Sequence, residues 1–84
     1  MVETIIYCTQ TCPYCTMAKR LLDSKGVKYQ SIDVGNDSAM WAQLTAKSGR
    51  KTVPQIFIGD HHVGGFDELS AADKRGEIDT LLNA

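Results

Sequence analysis

Thr4-Ile5-Ile6-Tyr7-Cys8-Thr9-Gln10-Thr11-Cys12-Pro13-Tyr14-Cys15 is the stretch that decides the fold. Its first five residues are β-rich and nearly all apolar, as expected of a strand covered on both faces. Five residues after Cys8, Pro13 suits the first position of a helix, where its missing N–H is not needed. Tyr14, Met17, Ala18, Leu21 and Leu22 then recur at i, i+3, i+4 spacing, and Gly26 closes the helix. A strand thus runs through a short loop into a helix, with one cysteine on each side of the helix start.

Working outward, Tyr29 to Val34 reads as a second strand. Gly35, Asn36 and Asp37 supply a turn and a cap for a second helix, with Met40, Trp41 and Leu44 inward and Gly49 at its end. Gln55 to Ile58 and His61 to Val63 are short strands around Gly59-Asp60, a hairpin signal. Asp67 is expected to cap a third helix through Glu68, Leu69, Ala72 and Asp73, and Gly76 to interrupt it before Glu77 to Leu82. The order is β-α-β-α-β-β-α: a parallel pair with a right-handed crossover, then an antiparallel hairpin, in a four-stranded mixed sheet flanked by helices. That is a thioredoxin-like layout of class α/β.

Eighty-four residues with 43% hydrophobic and 23% charged side chains suit one small domain over 1–84. The net charge of -1 argues against a general nucleic-acid binder, and the apolar run at the start is too short to span a bilayer or form a signal segment. The expected setting is the cytosol. Three cysteines, two of them two residues apart, do not resemble a disulfide-stapled secreted miniprotein and point instead to redox or metal chemistry.

Residues i and i+3 on a helical turn sit roughly 5–6 Å apart, within reach of a disulfide. Cys12, at the cap, faces unpaired amides and the positive end of the helix dipole, which stabilise a thiolate nucleophile. Cys15, one turn in, is less accessible, so Cys12 is expected to attack and Cys15 to resolve. The same spacing is half a zinc site. The other candidate ligands, Cys8, His61 and His62, show no recognisable zinc spacing, and the position between strand and helix favours redox. Cys8 reads as a half-buried strand residue, and the two histidines as decoration of a hairpin.

Three segments carry a family resemblance. Cys12-Pro13-Tyr14-Cys15, Thr52-Val53-Pro54 and Gly64-Gly65-Phe66-Asp67 are similar, in that order, to the active site, the cis-proline segment and the glutathione-binding turn of small bacterial-type dithiol glutaredoxins. Thioredoxins instead carry Gly-Pro between the cysteines. The resemblance covers essentially the whole chain. It implies a glutathione-dependent oxidoreductase with glutathione as co-substrate and no metal, in which Cys12 takes the glutathione sulfur of a mixed disulfide and a second glutathione, or Cys15, resolves. A groove would be formed by Tyr14, Lys51, Thr52, Val53, Pro54, Gly65, Phe66 and Asp67. Val53 would pair with the glutathione backbone like one added strand, Lys51 would meet the glycine carboxylate, and Asp67 the γ-glutamyl ammonium. Many relatives have a lysine three residues before the nucleophile, where this chain has Thr9.

The implied partners are disulfide-containing or glutathionylated proteins, with ribonucleotide reductase a candidate and glutathione reductase acting indirectly on a monomer. Two rival readings are a glutathione-ligated [2Fe–2S] carrier, which Pro13 disfavours, and a donor fed by thioredoxin reductase, which the Gly64 to Asp67 turn disfavours.

Overall fold

The apolar run expected to be a covered strand is one. In the computed structural model, which describes residues 2–83, β1 (Thr4–Cys8) is buried at every position but Ile5, which is half-buried. β2 (Tyr29–Asp33) pairs parallel to it on one side, and β3 (Gln55–Ile58) antiparallel on the other. β4 (His61–Gly64) pairs with β3 and closes the order β2-β1-β3-β4. β2 stops one residue short of Val34. That residue is nevertheless fully buried, and its N–H donates to the Cys8 carbonyl at 2.9 Å.

α1 (Pro13–Ser24) starts with Pro13 in its first turn, after Cys12 in an extended cap conformation. Its buried stripe is Cys15, Ala18 and Leu22, one residue out of phase with Tyr14 and Met17. One residue is about 100° of helix rotation, so Tyr14 and Met17, expected on the core stripe, stand 58% and 43% exposed. α2 (Ser38–Ser48) is capped by Asp37, whose carboxylate accepts from the Ala39 and Met40 N–H groups, and it ends at Gly49 in the left-handed region. Met40 and Trp41 are half-buried, and Leu44 is fully buried.

α3 (Phe66–Lys74) begins two residues earlier than expected, with Gly65 rather than Asp67 as the cap. Asp67 therefore lies inside the first turn. The Glu68 carboxylate, three residues after the cap, accepts from the Gly65 N–H at 3.0 Å; this is the reciprocal half of a capping box. α4 (Glu77–Leu82) follows the expected break at Gly76.

The sheet separates two apolar clusters. Ile6, Ile56 and Ile58 pack with Ala18, Leu22, Leu69 and Ile78 on the side of α1 and α3. Tyr7, Val34 and Leu44, joined by Phe57 and Trp41, fill the side of α2. This alternation along β1 and β3 holds the end of β1 and the entry to β3 side by side.

Candidate active site

At the end of β1 the chain turns through residues 9–11 and delivers Cys12 to the start of α1. Cys12 is half-buried, and its sulfur accepts from the Cys15 N–H at 3.3 Å, so an amide of the first turn points at that sulfur. The same sulfur lies 3.7 Å from the Val53 carbonyl, to which its thiol donates. The peptide bond between Val53 and Pro54 is cis, as the sequence reading holds.

Cys15 lies one turn in and is 2% exposed. Burial above all, and then its hydrogen bond with Cys12, push its thiol up to about 12. At neutral pH Cys15 is a protonated thiol. All three cysteines are free. Cys8 is more deeply buried than a half-exposed strand position allows, at 2%, and its sulfur sits 3.2 Å from the Ser31 hydroxyl.

Beside Cys12 runs an open groove of about 270 Å³. Tyr14, Thr52, Val53, Pro54, Gly65, Phe66 and Asp67 all line it, and the Tyr14 and Phe66 rings lie 6.3 Å apart. Gly65 passes within van der Waals reach of the Pro54 carbonyl, since a Cβ there would stand 3.4 Å from it. Lys51 is exposed and is not among the lining residues; the cation on the lining is Arg50. Arg50 is bonded to Glu68, whose carboxyl it holds below the usual range, with the Gly65 N–H as second cause. Thr9 lines a separate depression with Asp33 and Gly35.

Sequence reasoning missed Arg50, Gln55 and Glu68 on this lining. A signal for Glu68 was present in the Gly65-x-x-Glu68 spacing. None existed for the pairing with Arg50, 18 residues away.

Two thiols one helical turn apart, one half-open and one buried, interconvert with a disulfide without moving the elements that carry them. On this fold, that capacity defines a thiol–disulfide oxidoreductase. The Glutaredoxin family model matches residues 4–63. Glutaredoxin 3 of Escherichia coli is 49% identical over 82 residues, covering 98% of this chain and 99% of that protein. A glutaredoxin of Pseudomonas aeruginosa is 48% identical over 84 residues, the full length of both. Among solved structures, a glutaredoxin from Brucella melitensis gives a TM-score of 0.86 at 48% identity, covering 98% of this chain and 89% of that one. A buckwheat glutaredoxin–glutathione complex gives 0.87 at 30% identity, covering 98% and 77%. The chain belongs to the glutaredoxin family, whose members are glutathione-dependent thiol–disulfide oxidoreductases.

Proposed function

We propose that this chain reduces glutathione mixed disulfides through Cys12 alone and protein disulfides through Cys12 and Cys15 together. The observation that carries the reading is the Cys12 sulfur, 3.7 Å from the Val53 carbonyl at the edge of an open groove. A glutathione seated along Val53 as an added strand would present its sulfur to Cys12. Attack by the Cys12 thiolate forms the Cys12–glutathione disulfide and breaks the substrate's S–S bond. The departing thiolate takes up a proton. A second glutathione thiolate then attacks the glutathione sulfur, yields oxidised glutathione and frees Cys12. On a protein disulfide, Cys15 attacks the Cys12 sulfur of the mixed disulfide and releases the second protein thiol.

Around the groove, Asp67 and the opening amides of α3 suit the ammonium and carboxylate of the γ-glutamyl end. Lys51 and Arg50 supply positive charge for the glycine carboxylate. The proposed protein substrates are glutathionylated or disulfide-bonded proteins, ribonucleotide reductase among them, in the reducing cytosol.

The test is turnover of a small glutathione mixed disulfide coupled to glutathione reductase and NADPH. Cys12→Ser should abolish it, whereas Cys15→Ser should retain it, since glutathione resolves in place of Cys15. Equal inactivity of both variants would refute the monothiol route.

A further inference from the structure

A chain of polar side chains runs from the hairpin into the groove wall. Gln55, at the start of β3, is 1% exposed. Its Nε2 donates to the Thr52 carbonyl at 3.2 Å and to the Thr52 hydroxyl oxygen at 3.0 Å. Its Oε1 lies 2.7 Å from Nε2 of His62. His62 is the cross-strand partner of Phe57, and the two rings stack with centroids 4.8 Å apart at 25°.

These contacts fix the direction of every bond. A carbonyl only accepts, so the Thr52 carbonyl requires the NH₂ of Gln55 on its side. That orientation leaves Oε1 facing His62, so His62 must donate and carry a proton on Nε2. Burial, followed by the charge of Arg50, lowers the His62 pKa and favours the neutral ring. A neutral ring has one proton, which the chain places on Nε2. Every buried polar atom of Gln55 is thereby satisfied, but only while His62 donates.

We infer that His62 is a positioning residue for the groove, holding the Thr52-Val53 backbone in place through Gln55. The inference rests on the reading that glutathione lies along Val53. Without the donor, Oε1 of Gln55 is buried and unpartnered, which costs more than the bond itself contributes. The amide would then turn or withdraw and release Thr52. Binding along Val53 would weaken, while the Cys15 N–H, on a different element, would still donate to the Cys12 sulfur.

His62→Phe keeps a ring against Phe57 and removes the donor. Its KM for the glutathione mixed disulfide should rise by about three- to tenfold, as expected for one buried hydrogen bond, with kcat little changed. Gln55→Met should have a similar effect. Because both substitutions cut the same link, His62→Phe with Gln55→Met should bind no worse than Gln55→Met alone. An unchanged KM in His62→Phe, fully multiplying effects in the double variant, or a joint loss of kcat and melting temperature would each overturn the inference.

Nitrogen-15 spectra of the unliganded wild type provide a test that requires neither a folded variant nor glutathione binding. They should show a slowly exchanging proton on Nε2 of His62, and a proton on Nδ1 instead would also overturn the inference. An inactive wild type with that Nε2 signal present would defeat the glutathione reading and leave the chain of hydrogen bonds standing.

Discussion

Cys15 shows how burial at a single residue fixes a protonation state. With its thiol pushed up to about 12, chiefly by burial, its thiolate is a small minority at neutral pH. Closure of the Cys12–Cys15 disulfide needs that thiolate. Release of glutathione from protein glutathionylated at Cys12, followed by stopped flow without free glutathione, should therefore accelerate with pH. Below the pKa the thiolate fraction grows about tenfold per unit, and the rate should follow it between roughly pH 6 and 8. A flat profile would mean that Cys15 loses its proton by another route. The two cysteines were legible because their chemistry depends on local spacing after a strand. Arg50 and Glu68 were not, because their pairing exists only once the loop before β3 meets α3. His62 was read as hairpin decoration; its role depends on Gln55, seven residues away across the turn.

At the scale of the element, the caps decide. Asp37 accepts from two amides of α2 with one carboxylate oxygen. Asp37→Ala should cost about 1 kcal/mol, seen as a melting temperature lower by about 4–8 °C in a domain this small. A shift within error would mean that solvent replaces the cap. Most elements were legible because their ends are marked by residue type: Pro13 and Asp37 at helix starts, Gly49 and Gly76 at stops. Asp67 misled because aspartate is the stronger cap by type, yet extended Gly65 with Glu68 three residues on does the work. The phase of α1 was hidden for another reason. Tyr14 and Met17 are apolar enough to fit a core stripe, but the helix turns Cys15 inward instead.

For the molecule as a whole, acid acts through groups that folding keeps deprotonated. His62 is lowered from its ordinary 6.5, mainly by burial, so the unfolded chain binds more protons than the folded one just below that pH. Glu68, through Arg50, and Glu77, through Arg75, are lowered from 4.5 in the same sense. Their stabilisation is present above those pH values and lost below them. The melting temperature should fall in two stages on acidification, first below about 6.5 and again below about 4.5. His62→Phe should remove the first stage and leave the second. A single late fall in the wild type would show that His62 titrates alike in both states. The global arrangement was legible because strand and helix alternate and then give way to a hairpin, which admits few right-handed topologies.

The unequal depth of the three sulfurs also bears on covalent labelling. Cys8 and Cys15 are each 2% exposed, while Cys12 reaches the surface. A short pulse of maleimide on the folded, reduced protein should add one adduct by mass, and the same reagent in guanidinium should add three, the full set of free cysteines. The unaltered sequence thus carries its own single-site handle for dye attachment or surface tethering, and occupying that handle should silence the enzyme.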